Sequence, residues 1–163
     1  DVCSSDLITR KRFEELVVKG ENPITASDKV IKNMASAIEF VLRKPAFTKE
    51  NLFRLYAILS KDSLDYEYRL HEGDFYRYDK VFIDAYEGCP VERIDGCMDS
   101  LFNYVNANLK SQSHLRFFLP HIAHYYIVYI HPYFDFNGRT ARMASFWIYL
   151  LMNSHRNRLN LYV

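Results

Sequence analysis

The sequence predicts an all-α bundle that carries one short β-hairpin. Apolar residues recur at helical spacing in several long segments, whereas one short segment is rich in aromatic and β-branched residues. No internal repeat or low-complexity linker divides the chain. Its 163 residues suffice for a single domain that buries roughly 70% of the surface exposed by the unfolded chain.

Two helices are predicted in the first half of the chain. Between positions 28 and 42 the apolar residues fall on one helical face, and Pro45 follows the predicted end. Thr48 is a suitable N-cap for the next helix, because its hydroxyl group can accept a hydrogen bond from a backbone N–H group of the first turn. The apolar stripe of this helix consists of Leu52, Leu55, Tyr56 and Leu59.

The segment of residues 75–83 predicts the hairpin. Its β-prone residues are interrupted by Asp79-Lys80, so we expect the turn at that pair. Three helices are predicted after the hairpin, over residues 90–109, 117–130 and 140–152. The proline at position 120 implies a kink or a fresh start in the second of them.

The loop between the last two predicted helices concentrates the polar chemistry of the chain. It reads His131-Pro132-Tyr133-Phe134-Asp135-Phe136-Asn137-Gly138-Arg139-Thr140-Ala141-Arg142. Asn137-Gly138 favours a turn, and a helix that begins just after it points unpaired backbone N–H groups toward an anion. Phosphate is the obvious candidate for that anion.

Other residue types in this loop also suit phosphate chemistry. Arg139 and Arg142 share one face of the following helix, so both can contact one polyphosphate. Asp135 supplies a hard oxygen ligand for Mg²⁺. His131 has a reference pKa near neutrality and can take a proton from an attacking hydroxyl group. The loop therefore predicts nucleotidyl or phosphoryl transfer.

This loop resembles the signature of the Fic (Fido) family, His-Pro-Phe-x-Asp/Glu-Gly-Asn-Gly-Arg-x-x-Arg. Tyr133 stands in place of the phenylalanine, and Phe136 stands in place of the first glycine. The resemblance implies a Fic-type helical bundle with a hairpin flap. It also implies a protein adenylyltransferase that uses Mg²⁺ and transfers AMP from ATP to a Tyr, Ser or Thr hydroxyl group of a target protein.

The resemblance assigns roles to the matching residues. His131 acts as the general base, Asn137 forms an anion hole with the backbone around Gly138, and Tyr133 packs in the core to brace the loop. The two arginines hold the β- and γ-phosphates. The implied catalytic residues are His131, Asn137 and Arg139, the ATP-binding residues are Phe136, Gly138, Arg139 and Arg142, and the Mg²⁺ ligand is Asp135.

Phe136 is the departure from the signature with the largest consequence. The glycine that it replaces lets the backbone approach phosphates closely and adopt conformations that phenylalanine disfavours. Two alternatives to AMP transfer therefore stay open. One is a Fic-type transferase with another donor, of phosphocholine or phosphoryl groups, and the other is a non-catalytic nucleotide-binding or interaction domain.

Two further segments resemble parts of Fic proteins. Residues 17–22 resemble the inhibitory motif Ser/Thr-x-x-x-Glu-Gly/Asn, which implies that Glu21 pairs with Arg142 and blocks productive binding of the γ-phosphate. The predicted hairpin resembles the flap that aligns a target segment by β-strand pairing. The implied docking residues are Tyr76, Arg77 and Val81, and we expect Arg77 to face substrate or solvent.

Composition limits the partners and the compartment. The net charge is only +1, from 21 basic and 20 acidic residues, so no field favours nucleic acid or an anionic membrane. The cysteines, Cys3, Cys89 and Cys97, are odd in number without paired metal spacing, which indicates reduced thiols. We expect a cytoplasmic protein of bacterial origin, and a homodimer stays open.

The ends of the chain carry separate expectations. Residues 1–7 are typical of a non-native leader, whereas residues 8–163 are predicted to form one Fic-type domain. The final residues begin a new apolar pattern, so we expect the domain to be truncated at its C terminus.

Overall fold

The computed structural model describes residues 9–154, so the predicted leader at residues 1–7 and Cys3 lie outside the described residues. Within residues 9–154 the chain folds into a helical bundle with one small antiparallel sheet, which confirms the predicted fold class. The helices are α1 (Arg10–Phe13), α2 (Ala26–Leu42), α3 (Lys49–Ser60), α4 (Val91–Asn108), α5 (Leu119–Ile130) and α6 (Asn137–Ser154). A π-helical turn spans Glu14–Val18, and 3₁₀ turns span Tyr66–Tyr68 and His114–Phe118.

Polar caps fix where the helices begin. At the start of α2, the Thr25 hydroxyl group accepts from the Asp28 N–H group, and the Asp28 carboxylate accepts from the Thr25 N–H group. The Thr48 hydroxyl group accepts from the Asn51 N–H group at the start of α3, as predicted. Pro120 lies in the first turn of α5, so it opens this helix and does not kink it.

The core holds α6 against the rest of the bundle. Trp147 of α6 is fully buried, and its indole N–H group donates to the carbonyl oxygen of Pro45 at 2.9 Å. Its ring packs edge-on against Phe40 and Phe47, with centroid distances of 5.9 and 5.1 Å. Because α6 directly follows the polar loop, this packing fixes the downstream end of the loop.

The hairpin lies farther along the chain than predicted. Strand β1 (Phe82–Ile83) pairs with β2 (Tyr86–Glu87), and the turn falls at Asp84-Ala85. Asp84 has a φ of 53°, a left-handed conformation that aspartate tolerates better than most residues.

The predicted turn at Asp79-Lys80 is therefore wrong. The segment before that pair does not join a strand, because the Arg77 N–H group donates to the carbonyl oxygen of Pro132 in the polar loop. At the open end of the hairpin, away from its turn, the Gly88 N–H group donates a further hydrogen bond of 3.0 Å to the carbonyl oxygen of Val81.

The two described cysteines, Cys89 and Cys97, are free thiols whose sulfur atoms lie 3.9 Å apart. Burial and the adjacent Cys97 raise the pKa of the Cys89 thiol above its usual value. No helix within residues 9–154 is long and apolar enough to cross a lipid bilayer.

Candidate active site

The polar loop between α5 and α6 begins and ends with a left-handed residue. His131 has φ 54° and ψ 61° at the end of α5, and Phe136 has φ 63° just before α6. This conformation costs a non-glycine residue roughly 1 kcal/mol or more, so the surroundings must stabilise it at both positions. The two residues turn the chain out of one core helix and into the next.

The imidazole of His131 is placed for proton transfer. Its Nδ1 atom lies 3.3 Å from the carbonyl oxygen of Val128. Because a carbonyl group only accepts hydrogen bonds, this contact selects the tautomer with hydrogen on Nδ1 and leaves the lone pair on Nε2.

The surroundings of His131 favour its neutral, basic form. Burial lowers the pKa of His131 below its usual value, and the charge of Arg77 lowers it further. The hydrogen bond to Val128 and the charge of Asp135 oppose this shift without reversing it.

His131 and Asp135 line one open cavity of about 560 Å³. The carboxylate of Asp135 is exposed, and one of its oxygens accepts a hydrogen bond from the Phe136 N–H group. Among the described residues, no three His, Cys, Asp or Glu side chains form a cluster suited to a metal ion. A single carboxylate still fits Mg²⁺, which commonly binds one or two carboxylates and completes its shell with substrate phosphates and water.

Two residues of this cavity lie outside every segment that the sequence singled out. Glu67 and Tyr68 line the cavity together with His131 and Asp135. They belong to a short 3₁₀ turn that has no hydrophobic periodicity and matches no signature position. No sequence signal pointed to them, because only the folded chain brings this turn to the loop.

A larger cavity of about 670 Å³ lies between the hairpin, α4 and α5. Tyr86, Cys97 and Tyr129 are among the residues that line it. Neither His131 nor Asp135 does so, and we therefore assign the chemistry to the smaller cavity.

Tyr133 and Asn137 brace the loop from inside. The Asn137 side chain donates from Nδ2 to the Tyr133 carbonyl oxygen at 2.8 Å and accepts at Oδ1 from the Tyr133 N–H group at 3.0 Å. Tyr133 is fully buried, as predicted, and its ring stacks on Tyr56 with centroids 3.8 Å apart. The expectation for Asn137 needs one correction. Its side chain is 2% exposed and bound to Tyr133, so it serves first to brace the loop, and its part in an anion hole stays a prediction.

Phe136 points into the core. Its side chain is 3% exposed, and it is not among the residues that line the 560 Å³ cavity. The Arg139 guanidinium lies 3.8 Å from the centroid of its ring, which is a cation–π contact. The residue that replaces the signature glycine thus holds one of the two predicted phosphate-binding arginines.

Both predicted arginines lie near the start of α6. Arg142 is exposed, and its Nη1 atom is close to Gly138, since a Cβ atom built there would lie 3.5 Å from it. Arg139 is half-buried against Phe136. The partial positive charge of a helix N terminus adds to these guanidinium groups. Neither arginine is among the residues that line the 560 Å³ cavity, so their binding of a polyphosphate stays a prediction.

The three predicted docking residues lie in different surroundings. Val81 precedes β1 and lines the cavity. Tyr76 is half-buried, and its ring lies 6.3 Å from that of Tyr133. Arg77 is only 2% exposed, so the expectation that it faces substrate or solvent is wrong. Docking of a target segment by the hairpin stays a prediction.

Glu21 follows the π-helical turn and lies at an acidic cluster around Arg12. Its Oε2 atom is 3.2 Å from Arg12 Nη1, and Arg12 also pairs with Asp28 at 2.6 Å and Glu15 at 3.2 Å. Within residues 9–154, no ion pair joins Glu21 to Arg142. The structure therefore does not show the pair that inhibition requires.

Comparison with known proteins agrees with this fold. The family model described as Fic/DOC family matches residues 46–149. A Fic family protein from Desulfovibrio desulfuricans G20 is 19% identical, with a TM-score of 0.66 over 94% of this chain and 45% of that one. A Fic domain containing signaling protein from Bacteroides thetaiotaomicron VPI-5482 is 18% identical, with a TM-score of 0.73 over 96% of this chain and 65% of that one.

The likeness to these two solved structures concerns the fold alone, because the sequence identity is low. The chain spans less than two thirds of the length of either protein. Among curated proteins, none matches the sequence.

Proposed function

Since the chain belongs to the Fic/DOC family, we propose that it is a protein adenylyltransferase that transfers AMP from ATP to a Tyr, Ser or Thr hydroxyl group of a target protein. The observation that carries this proposal is the contact between His131 Nδ1 and the Val128 carbonyl oxygen, which leaves Nε2 as a base beside the cavity. ATP and Mg²⁺ are the proposed cofactors.

In the proposed reaction, Nε2 of His131 takes the proton of the target hydroxyl group while its oxygen attacks the α-phosphorus of ATP. A new O–P bond forms, the bond from the α-phosphorus to the bridging oxygen breaks, and pyrophosphate leaves. Arg139, Arg142 and the N–H groups at the start of α6 stabilise the charge of the β- and γ-phosphates. Mg²⁺ held by Asp135 would neutralise part of that charge when bound.

Glu21 is the proposed inhibitor of this reaction. Its pair with Arg12 is partly exposed, and exposed ion pairs contribute little to stability. Arg12 keeps Asp28 and Glu15 as partners when Glu21 leaves, so its guanidinium is not left without an ion pair. A new pair with Arg142 would then occupy the guanidinium that the γ-phosphate needs and would lower productive binding of ATP.

A different phosphate-containing donor is the second candidate. Phe136 is the reason to keep this candidate, because it places a side chain where the signature has glycine, just before α6, while its backbone keeps the left-handed conformation. Transfer of phosphocholine or phosphoryl groups would fit the same general base. A non-catalytic domain has less support, because the Phe136 ring lies in the core and does not line the cavity.

The test is Mg²⁺-dependent labelling of protein, including self-labelling, by ATP that carries its label on the α-phosphate. We expect strong labelling with Glu21→Gln, weaker labelling with the wild type and none with His131→Ala. Matched controls are Glu14→Gln, next to the same acidic cluster, and His121→Ala, an exposed histidine on α5. Both controls should behave like the wild type.

Each part of the proposal has its own contrary outcome. Full transfer by His131→Ala would refute the general-base role, and equal labelling by the wild type and Glu21→Gln would refute inhibition. If protein is labelled by ATP that carries its label on the γ-phosphate, but not by ATP labelled on the α-phosphate, phosphoryl transfer would be favoured. No label from either position, despite measurable binding of ATP, would favour the non-catalytic domain and would make Phe136→Gly the next variant to test.

A further inference from the structure

We propose that Arg77 is a positioning residue for His131, because its guanidinium binds the base of the hairpin to the polar loop that carries this histidine. The inference rests on the proposed role of His131 as general base. Arg77 touches neither the cavity nor any predicted phosphate contact, and it acts only through the backbone that carries the imidazole.

The hydrogen bonds of Arg77 join three separate stretches of chain. Nε donates to the carbonyl oxygen of His131 at 2.8 Å, Nη1 to that of Asp79 at 2.6 Å, and Nη2 to that of Cys89. The Arg77 backbone N–H group also donates to the carbonyl oxygen of Pro132 at 2.9 Å. We call residues 77–89, which contain the hairpin, the hairpin segment. Arg77 thus ties both ends of this segment to the loop.

The two ends of the hairpin segment together hold consecutive carbonyl groups at the end of α5. The Cys89 N–H group donates to Ile130 at 3.2 Å, and Arg77 bonds the next two carbonyl groups, those of His131 and Pro132. His131 needs such restraint because its left-handed conformation is unfavourable for a residue with a Cβ atom. Without Arg77, we expect this residue to leave the conformation that directs its Nδ1 atom to Val128.

The burial of Arg77 argues against a role in ordinary surface packing. The side chain is 2% exposed, and within residues 9–154 it has no ion-pair partner. Burial lowers the pKa of Arg77 from its usual value, which reflects the cost of removing its charge from water. Backbone carbonyl groups, which the guanidinium bonds in a planar fork, compensate for that cost.

Gly88 makes room for this arrangement. A Cβ atom at position 88 would lie 3.0 Å from Arg77 Nη2 and 3.0 Å from Val81 Cγ2. A methyl group there is tight, so the ends of the Arg77 and Val81 side chains must shift slightly to accommodate it. Gly88→Ala crowds the same guanidinium without removing its charge, and the methyl group would also lie 3.4 Å from the Cβ atom of His131.

Arg77 also influences the titration of His131. The charged groups that act on this imidazole are Arg77 and Asp135, and Glu67, Asp79 and Lys80 line the same cavity. Since the positive charge of Arg77 disfavours a second positive charge, replacing it with a neutral residue should raise the pKa of His131. This effect of charge acts through space, and Arg77→Lys, which keeps the charge, separates it from the positioning of His131 by the planar fork.

The experiment compares the wild type with Arg77→Met, Arg77→Lys and Gly88→Ala, with Arg93→Met as an exposed control on α4 near the hairpin. Proton NMR follows the titration of His131, whose ring signals are identified by their loss in His131→Ala. We expect Arg77→Met to raise the pKa of His131, and Arg93→Met to leave it unchanged. This readout needs no donor or target, so it stands even if AMP transfer is not the reaction.

Transfer kinetics provide the second readout. Arg77→Lys retains the charge but lacks the planar fork, so kcat should fall by about tenfold or more while KM for ATP changes little. Gly88→Ala should act in the same direction. If Arg77→Met does not fold, these two variants carry the test. The proposal is overturned if folded Arg77→Met leaves the His131 titration unchanged, or if Arg77→Lys and Gly88→Ala both retain the wild-type kcat.

Discussion

Tyr133 and Phe136 are the residues at which the polar loop departs from the Fic signature, and both are buried. The Tyr133 hydroxyl group has no hydrogen-bond partner within the described part of the chain, so this side chain contributes through burial and stacking of its ring on Tyr56. Phe136 combines a left-handed backbone with a ring in the core. At this position, burial of the ring and its contact with Arg139 offset the backbone strain.

The balance at Phe136 can be measured with two variants. Phe136→Gly and Phe136→Ala both lose the buried ring, and each should lower the free energy of unfolding by about 3–5 kcal/mol. The left-handed backbone is strained for alanine but not for glycine, so Phe136→Gly should be the more stable variant by about 1 kcal/mol. Urea unfolding at pH 7 measures both values. Greater stability of Phe136→Ala would show that the left-handed backbone is not strained.

The residue types of the site were predictable from the sequence, but their side-chain directions were only partly so. The signature identified His131 and Asp135, which share a cavity, and the burial of Tyr133 followed from its signature position. The inward direction of Arg77 was not predictable. Its acceptors are carbonyl groups on distant stretches of chain, which leave no pattern in residue type or spacing.

Helices were the elements best predicted from the sequence. The apolar periodicity predicted the end of α2 and the cap at Thr48 predicted the start of α3, whereas the cap at Thr25 was not predicted. The hairpin was less well predicted, because a strand of two residues has no usable alternation. Aromatic residues before Asp79 carry β-propensity, yet Phe75 packs against Phe53 of α3 at 5.3 Å.

At the start of α2, stability should depend on pH through Asp28. The ion pair with Arg12 and the hydrogen bonds from the Ile24 and Thr25 N–H groups hold the pKa of this carboxyl group well below its usual value. A lowered pKa stabilises the folded state above the unfolded-state pKa of about 4, and this contribution is lost as the pH falls further. Asp28→Asn should therefore lower the melting temperature at pH 7.

The difference in melting temperature between the wild type and Asp28→Asn should shrink as the pH falls from about 5 to about 2. Thermal unfolding followed by circular dichroism at several pH values tests this expectation. The matched control is Asp99→Asn, at an exposed position of α4, which should show little difference at any pH. A constant difference across the pH range would contradict the assigned role of the carboxylate.

Across the whole molecule, the site forms where the junction of α5 and α6 meets the base of the hairpin. The bundle buries the backbone of the loop around Tyr133 and leaves Asp135 and Arg142 exposed. The two arginines and the proposed general base thus lie on a rigid support, which suits a reaction that depends on positioning. The family match and the two structural neighbours support this architecture, while the extent of the domain beyond residues 9–154 stays a prediction.

The pH profile of transfer follows from the setting of His131 in the whole fold. Since burial lowers the pKa of this base, it should remain unprotonated to a pH below the ordinary histidine value of about 6.5. The kcat/KM for ATP should therefore stay constant on lowering the pH through about 6.5 and fall only below it. Steady-state rates in buffers from pH 5 to 8 check this, and a fall centred above pH 7 would contradict it.

Trp147 is the only tryptophan in the sequence, and it lies between Phe40 and Phe47 with its indole N–H group bound to Pro45. Its fluorescence emission therefore arises from one environment in the interior of the bundle, and exposure to water on unfolding should shift that emission to longer wavelength. The protein thus contains its own optical probe of folding. Changes confined to the histidine at the end of α5 should leave this emission unaltered, so loss of structure and loss of chemistry can be distinguished in a single sample.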